Sequence, residues 1–394
     1  MHGLHLGDEG ILGPDTIFRL SHGSPDGLLF PKLEWLYWDI YQAVFSIPFF
    51  RLFLSPRLRH ITFYTKSYIY HSLRGQVAAF AQIISVLPTS LESLDVECGR
   101  GNEEPVKDAL SSFICRCGPS LRSFSNGGSL SDAATLHLLQ LPNLSRWRTG
   151  QEPPQVTSTH ILQSLEQFGL DRADALPWLR FLASDGKGTL LEDSASATSR
   201  TPTRGTLKYL DLFEGIVVDS SFLSSIVNFQ NLVKLRVHNE FYEDTADCPF
   251  VLTDNDVTDL AAALPRLQSL RLGDPCCMNT CENTVASLMS ISVHCPDLLL
   301  LETHFNTETI VGDMQGLLDR GVGHNKAKCQ LRSIFVGTMP LELNSAGLRT
   351  VAMGFSVIFP HMTHLVGYDD DWPKLRRQMP GVSGYNAEAE AVVP

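Results

Sequence analysis

Residues 253–272 read TDNDVTDLAAALPRLQSLRL. Thr253 or Asp254 can cap a helix, and the acidic residues that follow lie where the helix dipole favours negative charge. The segment to Leu264 keeps apolar residues at helical spacing, and Pro265 stops it. Leu267-x-x-Leu270-x-Leu272 then has the alternation of a strand. This phrase, a Pro or polar turn followed by Leu-x-x-Leu-x-apolar, occurs twelve times. With its first Leu as register mark, the marks are Leu33, Leu58, Leu91, Leu121, Leu144, Leu179, Leu207, Leu232, Leu267, Leu298, Leu331 and Met362, separated by 23 to 35 residues. A unit that short cannot bury its own apolar face, so it folds by stacking on its neighbours.

Segments with a helical face lie between the marks: Gln76–Leu87, Pro105–Arg116, Thr253–Leu264, Glu282–Cys295 and Ala346–Phe359. Pro88, Pro265, Pro296 and Pro360 follow four of them and end them before the next strand. Strand after strand with one helix between implies a parallel sheet. The unit resembles the leucine-rich-repeat family over residues 28–372. That resemblance implies an α/β solenoid of about 12 irregular repeats. Its sheet would line the concave side of a horseshoe and its helices the convex side. The Ser/Thr/Gly-rich stretch 186–205 and the acidic stretch 239–253 are expected as insertions within a solenoid spanning 1–379, and 380–394 as a polar tail. Leu4-His-Leu6 has the pattern of a strand that begins mid-repeat.

The chain of 394 residues is 43% hydrophobic, which is ample for a core. Its net charge of −12 argues against general binding of nucleic acid or anionic membrane. No apolar run approaches the roughly 18 residues that span a bilayer, and MHGLHLGDEG has no secretory pattern. Nine Cys in such a chain point to free thiols in a reducing compartment, cytoplasm or nucleus. Cys98, Cys115, Cys117, Cys248, Cys295 and Cys329 sit in or beside apolar segments and read as small core residues. Cys276, Cys277 and Cys281 cluster, but adjacent-plus-four spacing does not match the paired spacing of metal sites. There is no HExxH, glycine-rich phosphate loop, dinucleotide fingerprint or G-x-S-x-G. The expectation is a non-enzymatic protein with neither cofactor nor metal.

In the strand phrase, residues three and five places after the mark face the core, and those at two, four and six face the concave side. The binding candidates on that side are Trp35, Tyr37, Tyr64, Arg146, Arg148, Tyr209, Phe213, Lys234, Arg236, His238 and Arg271. The ladder also runs through Asp95, Phe181, Asp211, Glu302, His304, Phe335, His364 and Tyr368. Aromatic residues and Arg projecting from a sheet are the types enriched in protein-binding hot spots. They also serve simply to cover neighbouring apolar surface. Lys234, Arg236 and Arg271 would form a basic patch suited to an acidic peptide or phosphate. Equally, they would balance Asp211 and Glu302 on a solvated face.

Three stretches resemble the repeat half of fungal, specifically basidiomycete, F-box proteins: DNDVTDLAAALPRLQSLRLGD from Asp254, VASLMSISVHCPDLLLLETHFN from Val285 and GLRTVAMGFSVIFPHMTHLVGYDDDWPKL from Gly347. In that family an N-terminal F-box docks a Skp-type adaptor and a cullin, and the repeats select the protein to be ubiquitinated. No LP-x-E-type helical trio precedes Leu28, so the resemblance implies the recognition half without its F-box. Adaptor and cullin partners follow only if an F-box is restored. The other reading is a repeat scaffold or regulator unconnected with ubiquitin.

Overall fold

The computed structural model describes residues 3–6, 19, 28–39, 50–64, 74–97, 104–154, 164–171, 175–183, 205–213, 218–238, 252–272, 282–303, 305–321, 329–336, 341, 343–367, 371–379 and 381–382. The stretches expected as insertions, and the tail, fall almost wholly outside these residues, as do Cys98, Cys248 and the Cys276–Cys281 cluster. The described residues fall into two compact units, one ending at Asp171 and the other starting at Ala175.

The first unit contains strands β1 (Gly3–Leu6), β2 (Trp35–Asp39), β3 (His60–Tyr64), β4 (Ser93–Glu97), β5 (Ser123–Asn126), β6 (Arg146–Thr149) and β7 (Gln167–Asp171). Each pairs parallel with the next in chain order. Helices α1 (Arg74–Ser85), α2 (Glu104–Arg116) and α3 (Asp132–Gln140) lie between successive strands and pack side by side. The burial pattern follows the alternation of side chains along a strand. In β3, Ile61 and Phe63 are buried while His60, Thr62 and Tyr64 are partly exposed. The marks Leu33, Leu58, Leu91, Leu121 and Leu144 are at most 1% exposed and form a continuous apolar column. Trp38, Phe50, Phe53, Phe63 and Phe80 join edge to face or tilted behind β2 and β3.

The second unit opens on α4 (Ala175–Ala183). It continues with β8 (Tyr209–Phe213), α5 (Ser220–Ile226), β9 (Lys234–His238), α6 (Asp254–Ala263), β10 (Ser269–Leu272) and α7 (Val285–His294). The last elements are β11 (Leu300–Thr303), α8 (Ile310–Asp319), β12 (Ser333–Phe335), α9 (Ser345–Ile358), β13 (His364–Val366) and α10 (Asp371–Arg377). Its strands again pair parallel in chain order. The start of α6 is a capping box: Asp256 N–H donates to Thr253 Oγ1 at 3.3 Å, and Thr253 N–H donates to Asp256 Oδ2 at 2.9 Å. Asp254 binds the next repeat, accepting from the Thr284 N–H at 2.6 Å, the Thr284 hydroxyl at 2.7 Å and the Ser287 N–H at 3.1 Å. Helix starts of adjacent repeats are thus joined through one carboxylate. Both units are parallel α/β solenoid arrangements with helices on one side of the sheet.

One register mark is corrected. The stretch LPWLRFLAS, expected as a strand marked by Leu179, forms the helix α4 as far as Ala183, its last described residue. Its buried residues are Ala175, Trp178, Leu179, Leu182 and Ala183, a spacing that only a helix places on one face. The repeat's strand is β7, marked instead by Leu165, which is fully buried. Phe181 therefore sits on a helix against Trp178, with ring centroids 5.5 Å apart, and not on the sheet. Among the cysteines, Cys117, Cys295 and Cys329 are buried as expected, and Cys115 is exposed. Burial pushes the Cys117 and Cys295 thiols up to about 12 and that of Cys329 to about 11, so these thiols behave as apolar core groups.

Candidate protein-binding faces

The sheet face turned away from the helices is where outward strand residues collect, and each unit has its own patch there. In the first unit, Trp35 on β2 is 56% exposed, while Trp38 on the same strand is 1% exposed. Alternation alone separates them. Register places Trp35 opposite His60, with rings 5.7 Å apart, and Tyr37 lies diagonal to Tyr64 in a stacked pair at 6.2 Å. Four rings thus occupy two adjacent strands.

Beyond the rings the face turns polar. Asp95, Ser125, Arg148 and Gly169 are consecutive partners across β4 to β7. Gly169 matters because a Cβ there would stand 3.1 Å from Arg148 Cγ. The missing side chain lets the Arg148 stem lie over the strand, and its Nη2 donates to Asp171 Oδ1 at 2.8 Å. Arg146, on the same strand as Arg148, points into solvent. Burial pushes the Asp95 carboxyl above its usual range, outweighing the Ser125 hydrogen bond and the attraction of Arg148.

That shift carries a sign. A raised carboxyl pKa means the charged form costs stability above the folded-state value, and the cost lifts as the pH falls through it. Asp95→Asn is expected to raise the melting temperature at neutral pH. The gain should shrink on acidification and vanish below the ordinary carboxylate range. A melting temperature lowered at neutral pH would mean that the attraction to Arg148 dominates after all.

In the second unit, β8 and β9 present Tyr209, Asp211 and Phe213 directly opposite Lys234, Arg236 and His238. The Arg236 guanidinium lies over the Phe213 ring, 5.5 Å from its centroid, and His238 meets the same ring edge-on at 6.2 Å. Arg271 on β10 is opposite Arg236 and pairs with Glu302 at 3.5 Å. No carboxylate among the described residues lies within ion-pair distance of Lys234 or Arg236.

The structure brings together Trp35, Tyr37 and Tyr64 in one patch, with Arg146 and Arg148 further along the same sheet. Tyr209, Phe213, Lys234, Arg236, His238 and Arg271 form the other. His304 and Tyr368 lie outside the described residues. The ladder is interrupted and not uniformly exposed: Ser269, Leu300 and Ser333 occupy outward positions on β10 to β12 and are only 1–4% exposed, while Glu302, Phe335 and His364 stay partly exposed. Their small or apolar nature was the available signal. Asp171 was missed because the register of its repeat was set on Leu179 instead of Leu165. Among the described residues no group of three or more His, Cys, Asp or Glu is placed to hold a metal ion, and no helix is long and apolar enough to cross a membrane.

No known family model matches the chain, and no curated protein matches it either. Among solved structures it is similar to a chain of the yeast Rad7–Elc1 complex, at 10% identity over 92% of this chain and 76% of that one, with a TM-score of 0.45.

Proposed function

We propose that the chain is a non-catalytic protein-binding module whose outward strand residues grip a partner protein. The observation that carries this reading is Trp35, a large indole left 56% exposed on the first unit's sheet beside the outward Tyr37 and Tyr64; the second unit has its own outward Tyr209 and Phe213. Aromatic side chains held on paired strands lose little conformational freedom on binding, so more of their contact energy appears as affinity. The resemblance of the repeats from Asp254, Val285 and Gly347 to fungal F-box proteins supports a finer role. In it the module selects substrates for an F-box-type ubiquitin ligase in the cytoplasm or nucleus.

Two measurements test the two levels. The proteins bound by wild type are compared with those bound by Tyr209→Ala/Phe213→Ala/Arg236→Ala and by Val293→Ser/Met353→Ser. Val293 and Met353 are exposed apolar residues on helices α7 and α9. The reading expects specific partners to be lost with the first variant and kept with the second. Retention by a folded first variant excludes that patch. The ligase role expects a Skp-type adaptor to co-purify with the full gene product from cells; its absence leaves a scaffold or regulator.

A further inference from the structure

Resting on the protein-binding reading, we infer that the β8–β9 face takes an acidic peptide segment of its partner, extended along the strand and carrying carboxylates at alternate residues. The charges on this face are only partly matched. The chain has net charge −12, yet this face sets Lys234, Arg236 and Arg271 against only two carboxylates on the adjoining strands, Asp211 and Glu302. A balanced, solvated face would pair each cation with a carboxylate. Arg271 follows that rule through Glu302 at 3.5 Å. For Lys234 and Arg236 no carboxylate among the described residues lies within ion-pair distance.

Arg236 is also fixed. Its guanidinium rests on the Phe213 ring, and its Nε is buried with no hydrogen-bond partner among the described residues. The outer nitrogens remain the donors available to an incoming carboxylate, and stacking reduces the rotamer entropy lost when one binds. Lys234 is two residues away on the same strand and face. At about 3.3 Å per residue the two cations repeat at about 6.6 Å, the spacing of alternate side chains in an extended peptide. Glu-x-Glu or Asp-x-Asp matches that spacing. Adjacent carboxylates in an extended peptide point to opposite sides and cannot reach both cations. Tyr209 and Phe213 on the neighbouring strand offer aromatic surface to the residues between and beside the acids.

The test uses the full chain and fluorescent peptides, read by anisotropy. One peptide carries two Glu at alternate positions in a Gly/Ser background. Others carry adjacent Glu, alternate Lys, or alternate phosphoserine, and single-stranded DNA is a separate probe. Wild type is expected to bind the alternate-Glu peptide at least about tenfold more tightly than the adjacent-Glu or Lys peptides, with affinity falling as salt is raised. Lys234→Gln/Arg236→Gln should lose about tenfold. Arg332→Gln/Arg349→Gln, which changes exposed cations elsewhere, should bind as wild type does. Equal binding by the Lys234/Arg236 variant, no preference for alternate Glu, or selective binding of only the phosphopeptide or DNA overturns the inference. Loss of bound proteins in the Tyr209/Phe213/Arg236 variant without acidic-peptide binding overturns it while leaving the protein-binding reading intact. Retention of those proteins removes the protein-binding reading for this patch.

Discussion

Trp147→Ala is expected to destabilise the first unit by about 3–5 kcal/mol, while Arg146→Ala, one residue away, changes stability by no more than about 0.5 kcal/mol. The contrast follows from alternation along β6. Trp147 is 1% exposed and packs edge-on against Phe168 at 5.7 Å, whereas Arg146 stands in solvent on the opposite face. Removing the indole deletes a large apolar contact and leaves a cavity that neighbouring strands can only partly close. Chemical denaturation of the two variants checks this. Similar losses for both would mean that β6 does not present one face to the core and the other to solvent.

Gly150→Ala is expected to cost about 1–3 kcal/mol although it adds a single methyl group. A Cβ at this position would stand 2.1 Å from the Gly127 carbonyl oxygen, 2.8 Å from its carbon and 3.1 Å from the Asp171 carbonyl oxygen. These are backbone atoms, so no rotamer change relieves the overlap and the chains leaving β5, β6 and β7 must separate. Gly118→Ala is the matched control, because nothing lies within 4 Å of its added Cβ. There, restricting the unfolded chain should leave stability unchanged or raise it by about 0.4–1 kcal/mol. Denaturation midpoints that fall equally in both variants would show the penalty to be a general cost of replacing glycine.

The repeat phrase carried most of the fold because it joins two different periodicities, one of 3.6 residues and one of two, at a proline. Where both were present, as in residues 253–272, helix and strand fell where expected. The phrase failed where only leucines were counted. Leu176, Leu179 and Leu182 fit a strand phrase, but Trp178 and Ala183 complete a helical face, and burial of all of one side decided for the helix. That single register error hid Asp171, and with it the ion pair that holds Arg148 across Gly169.

The outward sheet faces were legible as lists of residues and not as patches. Alternation put Trp35 and Arg236 on the right face, but it says nothing of what lies above a residue. Ser269, Leu300 and Ser333 are covered even though their positions point outward. Nor does spacing show which charges are matched. Lys234, Arg236 and Arg271 look alike in the sequence, and the contact with Glu302 separates Arg271 from the other two.

The protein-binding claim is tested most directly by placing a photo-crosslinking residue at Tyr209 or Trp35 on the strand faces and at Val293 or Met353 on the helices. These four positions compare the outward sheet surface with the exposed apolar residues of the helical side. A discrete crosslinked partner is expected from at least one strand position, lost when Phe213 and Arg236, or Tyr37 and Tyr64, are replaced in the corresponding patch. The same partner should be absent from the helix positions. Crosslinks from Val293 or Met353, with none from Tyr209 or Trp35, would contradict it and move the binding surface to the helices.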